Sequence, residues 1–133
     1  LNPYCSVADI EKICNEAIEN KFCGVCVIPY HVRNARKMLS NSNVKIITVV
    51  GFPFGYNQTP AKVEEVKKVI DAGADEVDMV MNIAAFKNGD YSIVANDIET
   101  VSTAVHMQNK IIKIIIESGI LSDEEIVKAC EIC

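Results

Sequence analysis

Apolar residues recur along this chain with two alternating periods, one helical and one of two residues, and the switches between them divide it into elements. Ile10, Ile13, Cys14, Ala17 and Ile18 recur at helical spacing behind Ser6 and Asp9, a capping-box start, and that helix is expected to end near Asn20. A short strand, Val25 to Ile28, is stopped by Pro29; His31 to Leu39 reads as a helix with basic residues on one side. Val44 to Val50 reads as the next strand, ended by Gly51-Phe52-Pro53-Phe54-Gly55. Thr59-Pro60 opens a helix with proline at its first position, an apolar stripe of Val63, Val66, Val69 and Ile70, and Gly73 as its stop. A strand through Asp78 follows. A loop containing Lys87-Asn88-Gly89-Asp90 then leads to a helix with Val94, Ile98, Val101 and Val105 on one face. After a strand through Lys113, Ser122 and Glu125 form a second capping box, and Cys133 lies inside the helix it starts.

Strands separated by helices pair in parallel through right-handed crossovers, so the expected class is α/β. The strands are apolar on one face and mixed on the other. Side chains alternate across a strand, which puts Asp78, Val80 and Asn82 on one face and Val77, Met79 and Met81 on the other. In the later strand Ile111, Lys113, Ile115 and Glu117 share a face, opposed by Ile112, Ile114 and Ile116. The apolar rows require covering helices, which turns the charged rows toward a lumen. A lone buried charge costs several kcal/mol, so Asp78 and Lys113 are expected to face one another from neighbouring strands. Such a pair could serve only to fix register, but ionisable groups inside a parallel barrel more often serve chemistry. The pattern suits a partial (β/α)8 TIM barrel of about four parallel strands better than a doubly wound sheet, whose strands are apolar on both faces. No glycine-rich dinucleotide fingerprint follows a strand, because Gly51 to Gly55 encloses two phenylalanines and a proline.

Composition narrows the function. With 133 residues, 50% of them hydrophobic, one domain spanning 1–133 is expected. The net charge of -5 argues against a nucleic-acid partner, and no apolar run reaches the length of a membrane span. The cytoplasm is the expected compartment. Cys23-Gly24-Val25-Cys26 and Cys130-Glu131-Ile132-Cys133 have zinc-site spacing, but the first pair runs into a strand and the second lies several elements away on a helix. Packed, reduced cysteines and no metal are expected. His31 and His106, on expected helices, read as surface or packing residues. Lys62, Lys67 and Lys68, among Glu64 and Glu65, read as a solvated helix face. Phe52 and Phe54 are expected to pack at the barrel mouth, and Glu117 to end its strand on the lumen side.

Four segments together carry a family likeness. Val25-Cys26-Val27-Ile28-Pro29, Val49-Val50-Gly51-Phe52-Pro53-Phe54-Gly55, Ala72-Gly73-Ala74-Asp75-Glu76-Val77-Asp78-Met79-Val80, and Ile114-Ile115-Ile116-Glu117 with Asp123-Glu124-Glu125 resemble deoxyribose-phosphate aldolase, in order and over nearly the whole chain. The resemblance implies a metal-independent class I aldolase without cofactor, cleaving 2-deoxy-D-ribose 5-phosphate reversibly to D-glyceraldehyde 3-phosphate and acetaldehyde through a Schiff base. By the same resemblance Asp78 matches the proton-shuttling aspartate, Lys113 its lysine neighbour, and Cys26 an inward-facing position on an early strand.

The family's Schiff-base lysine, in a Lys-Thr-Ser-Thr-Gly context, is absent from this chain, as are its phosphate-holding loops and its first strand with Asp-His-Thr. Lys113, opposite a carboxylate, is favoured as the charged amine and is a poor nucleophile. The 133-residue chain is therefore expected to be inactive alone, its start without Met and its stop inside a capped helix reading as cut boundaries. About four strands fall short of the eight that close such a barrel, and exposed outer strands invite homo-oligomerisation. A non-catalytic half-barrel that self-associates through those edges is the alternative.

Overall fold

A computed structural model describes residues 1–133. Helix α1 (Val7–Glu19) starts where the capping box closes: Asp9 N–H donates to Ser6 Oγ at 3.3 Å, and Ser6 N–H donates to Asp9 Oδ2 at 2.7 Å. Strand β1 (Gly24–Val27), helix α2 (Val32–Met38), strand β2 (Lys45–Val50) and helix α3 (Thr59–Ala72) follow. Helix α3 stops because Gly73 takes φ 114° and returns its N–H to Ile70 O at 2.9 Å. Strand β3 (Glu76–Val80), helices α4 (Ile83–Lys87) and α5 (Tyr91–His106), strand β4 (Ile111–Ile115) and helix α6 (Asp123–Ile132) complete the chain. The second capping box repeats the first, with Ser122 N–H donating to Glu125 Oε2 at 2.8 Å.

The four strands form one parallel sheet in the order β1-β2-β3-β4, flanked by helices as in a (β/α)8 barrel. One face carries Val25, Val27, Ile46, Val50, Val77, Met79 and Met81, which pack with Val66, Val69, Val94 and Val101 of the helices into a single core. The opposite face carries Cys26, Val49, Asp78 and Lys113, with Asp78 in register opposite Val49 on one side and Lys113 on the other. β1 and β4 each pair on one side only. No helix is long and apolar enough to cross a membrane.

Three expectations need correction, and a fourth, His31 as a packing residue, holds with its α-helix starting one residue later. The segment before Gly89 is not all loop: Asn82 Oδ1 accepts from Ala85 N at 3.1 Å and caps the one-turn-long α4, with Phe86 buried beneath it. His31 precedes α2 in a short 3-10 turn and is buried. Asn34 donates to its Nδ1 at 3.1 Å, and its Nε2, 3.0 Å from Cys5 O, then carries the proton, so the ring ties the N-terminal segment to the barrel. The cysteines are not uniformly packed. All six are free, Cys14 is buried, Cys5 is half-buried, and Cys23, Cys26, Cys130 and Cys133 are exposed. Finally, Lys62 does not belong to a solvated face, although Lys67 and Lys68 do and pair with Glu64 there.

Candidate active site

The pleat and the register together build the site. Glu76 and Asp78 stand on the same face of β3, and the β3–β4 pairing sets Asp78 against Lys113. Lys113 Nζ lies 2.9 Å from Asp78 Oδ1 and 3.0 Å from Glu76 Oε2, so one ammonium serves two carboxylates. Its approach to Asp78 lies off the hydrogen-bond axis. Oδ1 is consequently buried and close to a positive charge, yet has no aligned donor.

Partial burial works against the charge on Lys113, but the Asp78 and Glu76 carboxylates beside it outweigh that loss and hold the amine above the ordinary lysine value. At neutral pH the group is an ammonium. It can orient a carboxylate or donate a proton but cannot add to a carbonyl. Asp78, whose Oδ1 has no aligned donor, is placed to accept or deliver a proton on this face of the sheet. Glu76 was not singled out from sequence, though it sits two positions before Asp78 and alternation alone puts it on the lumen face.

Cys26 lies on the same face of β1, opposite Ile47. Its residue surface is open to solvent, but the thiol is set deep enough that lost hydration, and after it the Asp78 carboxylate, push its pKa up. Glu117 does not end a strand. It lies beyond β4 in the left-handed region at φ 56°, exposed, and lines a mostly apolar cavity of about 450 Å³ with Phe54, Tyr56 and Ile120. It belongs to the rim at the carboxyl ends of the strands, apart from the Asp78 and Lys113 pair.

The turn after β2 shapes the same rim. Gly51 and Gly55 take φ of 63° and 71°, and Gly55 N–H returns to Gly51 O at 2.8 Å. A Cβ at Gly55 would overlap the Met81 carbonyl oxygen, so the turn lies directly against the end of β3. Phe52 and Phe54 are both exposed there, Phe54 stacked on Tyr56 at 5.5 Å.

Behind the sheet lies a cluster that the sequence reading missed. Lys62 is fully buried, and its Nζ donates to Asp97 Oδ2 at 2.6 Å and to Val80 O at 3.0 Å, while Thr59 Oγ1 donates to Asp97 Oδ1 at 2.8 Å. The available signal was positional. Lys62 is in helical phase with Val66 and Val69, and Asp97 with Val94 and Val101, so each charge stands on the apolar face of its own helix.

Residues 2–130 match the family described as DeoC/LacD family aldolase. The deoxyribose-phosphate aldolase of Aciduliprofundum boonei is 48% identical over 132 residues, covering 99% of this chain and 60% of that protein. That of Thermococcus gammatolerans is 47% identical over 134 residues, covering 99% and 60%. The solved structure of QR15, an aldolase, superposes with a TM-score of 0.92 at 36% identity, covering 99% of this chain and 58% of that one. The chain thus spans about 60% of the length of the curated relatives it matches. A family match over residues 2–130, close relatives sharing one name, and a parallel barrel sheet with a charged lumen agree: the chain belongs to the DeoC/LacD family of aldolases.

Proposed function

We propose that the protein is a deoxyribose-phosphate aldolase, cleaving 2-deoxy-D-ribose 5-phosphate reversibly to D-glyceraldehyde 3-phosphate and acetaldehyde by class I chemistry without metal or cofactor. The observation that carries this reading is the Asp78 carboxylate held 2.9 Å from the Lys113 ammonium on the lumen face. A class I retro-aldol step needs a neutral amine to attack the substrate carbonyl and an acid–base group to move protons as the carbinolamine loses water. In this reading Asp78 moves the protons. Lys113 orients the Asp78 carboxylate from 2.9 Å, Cys26 lines the lumen, and Glu117 stands at its rim. The attacking amine is not Lys113, whose two carboxylates hold it charged; this chain supplies the acid–base half of the chemistry, and the Schiff-base lysine is not among its residues.

The test uses the full-length protein. Incubated with 2-deoxy-D-ribose 5-phosphate, it is expected to release glyceraldehyde 3-phosphate, and Asp78→Asn to slow turnover by about 10²- to 10⁴-fold. Borohydride reduction during turnover followed by peptide mass spectrometry is expected to place the adduct on a lysine other than Lys113. Absence of turnover, or an adduct on Lys113, refutes the reading. One observation favours a second reading, a non-catalytic half-barrel: β1 and β4 are free on one side, with Ile111 of β4 55% exposed. Light scattering on residues 1–133 that finds a folded monomer removes it.

A further inference from the structure

We propose that Lys62 and Asp97 are positioning residues that fix the Asp78 carboxylate by holding the carboxyl end of β3 from behind the sheet. Their side chains are 0% and 3% exposed, so neither touches the lumen or a substrate. Burying two opposite charges gives little stability, since a well-packed apolar pair of similar volume does as well or better. What the ion pair adds is direction. The β2–β3 pairing ends with Val50 opposite Met79, and past that point β2 offers Val80 no partner. The Lys62 ammonium supplies one, donating to Val80 O at 3.0 Å two residues beyond Asp78. Its other bond, to Asp97 Oδ2, anchors it to α5, and Thr59 Oγ1 fixes the second oxygen of that carboxylate.

The same lysine sets the neighbouring turn. A Cβ at Gly51 would stand 2.9 Å from Lys62 Cε, so the backbone after β2 rests on the lysine stem, and Glu65 on α3 accepts the Gly51 N–H at 2.9 Å. One buried side chain therefore joins β3, α5 and the rim turn. An apolar replacement can fill the volume, but it cannot donate to Val80 O and leaves the end of β3 free to shift by the fraction of an ångström that proton transfer notices.

The claim rests on the aldolase reading, and the experiment separates the two. In the full-length protein, Lys62→Met alone is expected to lower Tm by about 10 °C, because it strands the Asp97 carboxylate. Lys62→Met with Asp97→Leu is expected to recover most of that loss, yet to keep KM for the sugar phosphate within about twofold and to lower kcat by about 10²-fold. A double variant that is stable and turns over within about threefold of the unsubstituted protein overturns the proposal. Should the double variant not fold, Thr59→Val, nearly isosteric, decides: in the folded variant, a fall in kcat of about threefold or more at unchanged KM supports the positioning role, and unchanged kcat overturns it. If the unsubstituted protein shows no turnover, the aldolase reading falls by itself. The positional claim is then read from the carboxyl carbon resonance of Asp78, assigned by its loss in Asp78→Asn. A changed titration midpoint in the folded double variant, or in Thr59→Val, supports it, and an unchanged one overturns it.

Discussion

Replacing Gly55 by alanine tests how tightly the rim turn is pressed against the strand that carries Asp78. Gly55 and Gly89 both have positive φ, 71° and 76°, so alanine at either position incurs the same conformational penalty, about 1–2 kcal/mol. Their surroundings differ. A Cβ at Gly89 meets nothing within 4 Å, whereas at Gly55 it overlaps the Met81 carbonyl and stands 3.0 Å from Val80 Cγ1. A backbone carbonyl cannot rotate aside as a long side chain can, so the overlap adds an overpacking cost of about 1–3 kcal/mol. Gly55→Ala is therefore expected to cost about 2–5 kcal/mol and Gly89→Ala only about 1–2. Urea titration of both variants in the full-length protein measures the difference, provided the m values agree. Because the displaced segment is the end of β3, turnover should fall in Gly55→Ala and hold in Gly89→Ala. Equal losses of stability in the two variants would refute the close approach, and with it the idea that the turn braces β3.

Two further outcomes probe the lumen. The folded pKa of Lys113 is raised, so its ion pairs contribute fully below the ordinary lysine value near 10.5 and the contribution is lost as pH rises through the higher folded value; unfolding titrations between about pH 9 and 12 should show a decline that Lys113→Met lacks. Cys26 should react with iodoacetamide more slowly than a free thiol at pH 8, and Asp78→Asn should quicken it by removing the negative charge that disfavours the thiolate; an unchanged rate would mean that the two groups do not share a face.

How much could be read from the chain depended on whether the deciding interaction was local. Both capping boxes were legible because their partners lie three residues apart, and the Gly73 stop because its bond returns to the helix it ends. The pairing of Asp78 with Lys113 was legible for a different reason: a period of two assigns each to a face, and the cost of a lone buried charge supplies the rest. Lys62 was misread because nearby glutamates gave it plausible local partners, while its real partner lies 35 positions away on another helix. Lys67 and Lys68, in the same cluster, do pair locally and were read correctly. Helix α4 escaped because five residues are too few for periodicity to register, leaving the Asn82 cap as its one signal. Glu117 extended an apolar alternation by one step too many, since nothing in Ile114-Ile115-Ile116-Glu117 announces the left-handed turn that lifts it to the rim.

The order of strands in the sheet is the order of strands in the chain. Each newly made strand finds its template in the one synthesised just before it, with a single helix-bearing connection to close, so the search during assembly is short and the entropy lost at each step is modest. Such a layout can be laid down progressively as the polypeptide leaves the ribosome, every repeat docking on a surface already in place.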